Sequence, residues 1–410
     1  MAKQISEEQI NLLVERLVER TNRANEIFLK NIGNSLKKIG ELTPTQAYQL
    51  VQILKYGGNY DDIVRKIAKY MNMNIADVDK IFVEYAKGDT LFYEKFYQYR
   101  DIPFAPFEAN TALKTQTMAL ANITKGAMYN FTRSNAIGYT INGEFFSLRS
   151  TYEKLLDTAL LNVGQGKETF DQALSGILKD IGGSGLKYVD YESGRQVRLD
   201  SATRMYLKDG LRNLHNENQK LFGEEFGADM VEISTHLHPA PDHLMQGHQF
   251  SIEEFDKLQN GEDAKDLKGN IYTLDHDGNG SYRPISTLNC YHTVFYGIAG
   301  VSKPEYTDEQ LQNIIDENEK GFEFEGKHYS MYEGEQLLRK VELELRKSKD
   351  TQILARSTDN VELVGEMQRR ITQLTNKYRD ILKVSGLSSK LERAKVAGYR
   401  RVNIDKLKQL

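Results

Sequence analysis

Apolar residues recur at helical spacing along the opening of this chain: Ile10, Leu13, Val14, Leu17, Val18, Ala24, Ile27, Phe28, Ile32, Leu36 and Ile39. Such a stripe fits a long amphipathic helix, because in a strand, where side chains alternate, it would scatter over both faces. Ser6 and Gln9 form a capping-box pattern ahead of it, and Gly40 supplies a stop. Thr43-Pro44-Thr45-Gln46 repeats the cap, with proline at the first helical position, where its missing N–H costs nothing. Gly57-Gly58 breaks that second helix. Beyond it the spacing predicts two shorter helices over 60–71 and 75–86, the latter capped by Asn74 and Asp77. The run Ile102-Pro103-Phe104-Ala105-Pro106-Phe107 cannot continue a helix, so a helical N-terminal region ends at residue 107.

Helical spacing resumes over 111–135, 148–161 and 170–181, with a strand-like stretch at 138–146 and a glycine hinge at 182–185. Residues 188–191 and 196–199 alternate across Ser193-Gly194 and read as a hairpin; Asp200-Ser201 then caps a helix that runs to about Phe222. Short strands and turns fill 230–301. Thr307-Asp308-Glu309-Gln310 is a further capping box, followed by a small hairpin at 321–329. A last apolar stripe holds Val361, Val364, Met367, Ile371, Leu374, Tyr378, Ile381 and Leu382. The expected fold is α+β and predominantly α-helical: a helical region at 1–107, a mixed helical and α+β core at 108–304, and a helical basic region at 305–410. At 410 residues the chain is long enough to divide into more than one core.

No run of about 18 apolar residues is present, and Met1-Ala2-Lys3-Gln4 opens no apolar signal segment, so a soluble protein without membrane contact is expected. A single cysteine excludes an internal disulfide. Charge is uneven. The chain carries 54 Lys and Arg against 58 Asp and Glu, yet residues 338–410 hold 18 basic and 9 acidic side chains. Arg369, Arg370, Lys377, Arg379, Lys383, Arg393, Lys395, Arg400 and Arg401 lie mostly off the apolar stripe. They can face a polyanion, or they form a solvated helix surface.

Six of the eight histidines and the only cysteine fall within 230–304. On strands, His236 and His238 would share one face, as would Cys290 and His292. His236, His243, Cys290 and His292 make a candidate zinc set, although their spacing is not that of a finger or ribbon. A hydrogen-bonded polar core explains the same residues without metal. Asp275-His276-Asp277-Gly278-Asn279-Gly280 imitates the start of a calcium loop, but Ser286 stands where the bidentate Glu is required. An Asn-Gly hairpin turn between 271–274 and 282–285 is the competing reading. Cys290 with His292 lacks an evident third group to orient it as a nucleophile. The glycine-rich stretches at 164–167 and 182–185 do not match a phosphate loop.

The order Ser234-Thr235-His236, a proline-rich step, His243-x-x-Gln246-Gly247, then Asn289-Cys290-x-His292 and Gly300-x-Ser302-x-Pro304 resembles the signature of tailed-phage minor capsid proteins. The group is the minor capsid protein 2 family, related to Mu-type head morphogenesis proteins. Two further segments agree in order: 188–205, with Ser193-Gly194-Arg195, Val197 and Ala202-x-Arg204, and 329–349, with Tyr332-Glu333-x-x-Gln336 followed by arginines. The similarity covers roughly 188–400, and the N-terminal helices more loosely. Related chains often carry an arginine where this one has Pro239-Ala240-Pro241.

The resemblance implies a structural virion protein, present in a few copies near the portal or neck or inside the head. Such a protein would act in head assembly and in genome packaging or ejection, without catalytic residues or cofactor. Its implied partners are the portal protein, the major capsid protein and packaged double-stranded DNA, and it would pass through the host cytoplasm during assembly. The alternative is a metal-dependent hydrolase or nuclease centred on the His/Cys cluster.

Overall fold

The computed structural model of the protein describes residues 7–132, 135–190, 194–241, 244–273, 283–286, 290 and 292–403. The Ser6–Gln9 cap, the calcium-like segment Asp275–Gly280 and His243 lie outside the described residues. Helix α1 (Glu7–Gly40) runs the length of the first apolar stripe, and Phe28, Leu29, Ile32 and Leu36 on it are fully buried. Helix α2 (Pro44–Tyr56) opens on its capping box, where the Gln46 side chain accepts from the Thr43 N–H at 3.2 Å.

The two short helices expected next are one. Helix α3 runs unbroken over Asn59–Arg100. Asn74, expected as a cap, is instead fully buried, and its amide donates to Leu17 O at 3.0 Å and to Thr21 Oγ1 at 3.3 Å on α1. With a partner helix to take its amide N–H groups, the side chain points away from its own backbone, which it would have to face to act as a cap. The helix ends as the prolines require, with Asp101 in a left-handed conformation at φ 53°.

Helix α4 (Thr111–Tyr129) and a 3₁₀ turn precede β1 (Ile137–Ile141) and β2 (Glu144–Ser147), a hairpin turned on Asn142-Gly143 where one strand-like stretch was expected. After α5 (Leu148–Asn162), α6 (Lys167–Ser184) continues through Gly182 and Gly183, past the expected stop, and ends before Gly185. Strands β3 (Lys187–Val189) and β4 (Gln196–Arg198) form the anticipated hairpin and extend the sheet to the order β2-β1-β3-β4. Helix α7 (Leu199–Phe226) follows.

The motif region is built on β5 (Met230–Ile233), central between β6 (Gln249–Ser251) and β9 (Val294–Gly297), both antiparallel to it. Helix α8 (Ile252–Gln259) and a small pair, β7 (Ala264–Lys265) with β8 (Ile271–Tyr272), lie between β6 and β9. The hairpin turn expected between 271–274 and 282–285 lies outside the described residues, while 271–272 pair backward with 264–265. The turn between them is made by Asp266, whose Oδ1 accepts from the N–H groups of Lys268 and Asn270 at 2.9 and 2.8 Å. Helix α9 (Asp308–Lys320) begins on its capping box, β10 (Phe322–Phe324) and β11 (Lys327–Tyr329) form the small hairpin, and α10 (Met331–Ser357) and α11 (Val361–Ser385) complete the helices. Val364, Met367, Ile371, Tyr378 and Ile381 of the last stripe are buried, while Val361 at its start is 40% exposed.

The fold is thus a predominantly helical α+β structure with small antiparallel sheets. Its largest apolar core takes residues from Val14 to Val396 and packs α1 among α3, α5, α7 and α10. A second core, including Val231, Phe250, Leu258 and Cys290, lies under the β6-β5-β9 sheet; a third joins α10, α11 and the β10–β11 hairpin. Among the described residues no helix is long and apolar enough to cross a membrane.

Candidate functional site

His236, Cys290 and His292 of the motif sit in loops, because β5 stops at Ile233 and β9 starts at Val294. The two chains stay together beyond the ladder: Ser234 N donates to Thr293 O and Thr293 N to Ser234 Oγ, both at 2.9 Å. This brings the rings of His236 and His292 edge to face, with centroids 4.2 Å apart. Cys290 Sγ lies 3.5 Å from His292 Nδ1. Three of the four candidate residues therefore converge.

The hub of the cluster is Gln246, which the motif contained but spacing alone did not single out. Its Oε1 accepts from the His236 N–H at 2.9 Å and lies 3.0 Å from His292 Nε2, while its Nε2 donates to His236 O at 3.1 Å. An acceptor at Nε2 places the imidazole proton there and leaves Nδ1 to accept from the Cys290 thiol. Ser286 Oγ donates to His292 O at 2.6 Å. Thiol, imidazole and amide thus stand in the order of a nucleophile, its base and an orienting group, the third member that sequence reasoning lacked. The surroundings are those of a core, however: Cys290 is 2% exposed, Gln246 2% and His292 4%. Among the described residues no three His, Cys, Asp or Glu side chains are arranged to hold a metal ion.

The other motif histidines go elsewhere. His238 Nδ1 pairs with Glu335 Oε1 on α10 at 3.1 Å, and Asn318 of α9 donates to the neighbouring Pro239 O at 3.4 Å. Hydrogen bonding from His238, with Lys390 nearby, holds the Glu335 carboxyl down at about 2. The residue thus bolts the motif module onto the C-terminal helices. His248 lies between Asp266 Oδ2, 3.2 Å from Nδ1, and the Tyr272 hydroxyl, 3.0 Å from Nε2. Burial lowers the His248 pKa and pushes Tyr272 up to about 12, so a neutral imidazole accepts from a protonated phenol.

Replacing Gln246 with alanine is expected to lower stability by about 1–3 kcal/mol, since it strips partners from buried groups on His236 and His292. Urea unfolding measures this. A Gln246→Met protein as stable as the parent would show that the amide merely fills space.

The nine basic candidates divide. Arg370 pairs with Glu344 at 2.6 Å, and Lys377 reaches Glu325 at 2.8 Å beside the Phe324 ring. Arg393 is half-buried. Arg369, Arg379, Lys383, Lys395, Arg400 and Arg401 are exposed.

Ring nitrogens of His238, His248 and His292 each meet a hydrogen-bonding side chain, in loops beside a small sheet that helices surround. The family described as phage minor capsid protein 2 matches residues 5–383, so the chain belongs to that family, a bacteriophage structural protein of the virion. No curated protein and no solved structure matches it.

Proposed function

We propose that the protein stands in a few copies beside the portal, at the neck or inside the head, and acts in head assembly and in genome packaging or ejection. The family match over nearly the whole chain carries this reading. The buried His/Cys cluster supports a role without catalysis or cofactor, and the exposed cations after residue 368 support contact with packaged DNA. The portal and major capsid proteins are its protein partners in this reading. A virion reconstruction tests the placement: density for this chain beside the portal is expected, and its absence from purified virions would overturn the reading.

DNA contact has its own test. Phosphate binding releases condensed counterions, so affinity depends steeply on salt and hardly on base sequence. The full-length protein should bind duplex DNA weakly at about 50 mM salt and lose most of that binding by about 200 mM. Failure to bind at the lower salt would assign the cations to a protein surface.

A further inference from the structure

The positive charge of the C-terminal region has a counterpart in the same chain. Residues 217–325 carry 22 acidic and 7 basic side chains, a net of −15, whereas 338–410 carry +9 and the remainder is close to neutral. Several of the acidic side chains face outward. Asp256 on α8, Glu262 and Asp263 after it, and Glu309, Asp316 and Glu319 on α9 are all exposed. Helix α9 buries only Leu311 and Asn318. The Lys268–Asp308 pair at 2.5 Å ties the β7–β8 turn to the start of α9.

On the basic side, the side chains of Arg369, Arg379, Lys383, Lys395, Arg400 and Arg401 make no ion pair or hydrogen bond among the described residues, and all six are exposed. The fold explains why they are not neutralised within the molecule. The inner face of α11 is committed to α10 and to β10, and among the described residues only Lys377 of the basic region reaches a carboxylate of the acidic segment, Glu325.

We propose that the exposed carboxylates of α8, of Glu262 and Asp263 after it, and of α9 dock onto the basic surface of α11 and the following segment in a second copy of this chain. Unlike surfaces meet, so the contact is heterologous. Repeated, it builds a ring or a row of copies, unless two contacts close reciprocally into a dimer. Its strength comes from exposed charges within a Debye length of about 8–10 Å, and salt therefore dissolves it. DNA competes for the same cations, but the docking does not depend on where the protein sits in the virion.

The test uses the full-length protein in sedimentation equilibrium at tens of micromolar. A mass above the 46.9 kDa monomer is expected at about 50 mM salt and the monomer at about 500 mM. Reversing Arg369, Arg379 and Lys383 to Glu should give a monomer at low salt, as should reversing Glu262, Asp263 and Asp316 to Lys. Mixing the two reversed proteins should restore association, because the first retains the acidic surface and the second the basic surface it docks on. Combining both sets of reversals in one chain should restore association. Circular dichroism checks folding, and Lys395→Glu with Arg400→Glu and Arg401→Glu serves as a second basic set. A monomeric parent at low salt overturns the proposal. So does association that survives the acidic-set reversal, or a doubly reversed chain that stays monomeric while folded.

Discussion

Replacing Arg198 with alanine should lower stability by about 3–5 kcal/mol, because it leaves carboxylates buried without the cation that faces them. Arg198 is 8% exposed, Asp200 4% and Asp350 0%. The guanidinium lies 3.0 Å from Asp350 Oδ2 and 3.3 Å from Asp200 Oδ1, and Arg346 of α10 adds a bond to Asp200 at 2.8 Å. Asp350 Oδ1 accepts from Asn25 Nδ2 at 2.9 Å, and Asn25 Oδ1 accepts in turn from the Tyr139 hydroxyl at 2.8 Å. One network therefore fastens α1, β1, β4, α7 and α10.

The two carboxylates titrate apart. Burial pushes Asp350 up to about 6 against the pull of Arg198. Asp200 is also buried, but Arg198 and Arg346 together hold it well below the usual carboxylate range. A folded value for Asp350 above its ordinary 3.8 means the folded state holds the extra proton, so this group's contribution falls as pH rises from about 4 through 6. Without Arg198 the carboxyl rises further, and the alanine variant's deficit should be smaller near pH 5 than near pH 8. Replacing the pair together, Arg198→Met with Asp350→Leu, should cost less than either truncation alone. Thermal melts at the two pH values decide it. A single variant melting within about 1 °C of the parent would sink the account.

Gly182→Ala should destabilise by about 1–3 kcal/mol or more, while Gly183→Ala, one residue on, should stabilise by up to about 1 kcal/mol. A Cβ at Gly182 would overlap the backbone N and Cα of Thr351, so α6 could accept it only by moving away from α10. At Gly183 nothing lies within 4 Å of the added carbon, leaving only the gain in helix propensity. Urea midpoints of the two variants should therefore shift in opposite directions. Equal shifts would mean that the α6–α10 contact is looser than the packing implies.

The stripe on α1, the caps at Thr43 and Thr307, and the hairpins at 187–198 and 322–329 were legible because each depends on residues near one another in sequence. The family signature was legible for a related reason: it is a string of residue types in order. Asn74 was misread, since its amide serves α1, 53 and 57 residues away. Within the candidate site, the nearness of Cys290 to His292 was foreseeable. Gln246 was visible only as part of a pattern, and its position between His236 and His292 follows from the Ser234–Thr293 pairing that extends the sheet.

By itself the sequence determined that this protein would be mostly helical, where most of its helices begin, and to which family it is similar. Helical periodicity and caps act over a few residues, and the hydrophobic effect then buries whatever stripe they create. Only the tertiary structure decided which polar groups meet: Arg198 with Asp350, His238 with Glu335, Gln246 with His292. A buried polar group must find its partner wherever packing delivers one, and that choice is made between segments 46 to 152 residues apart.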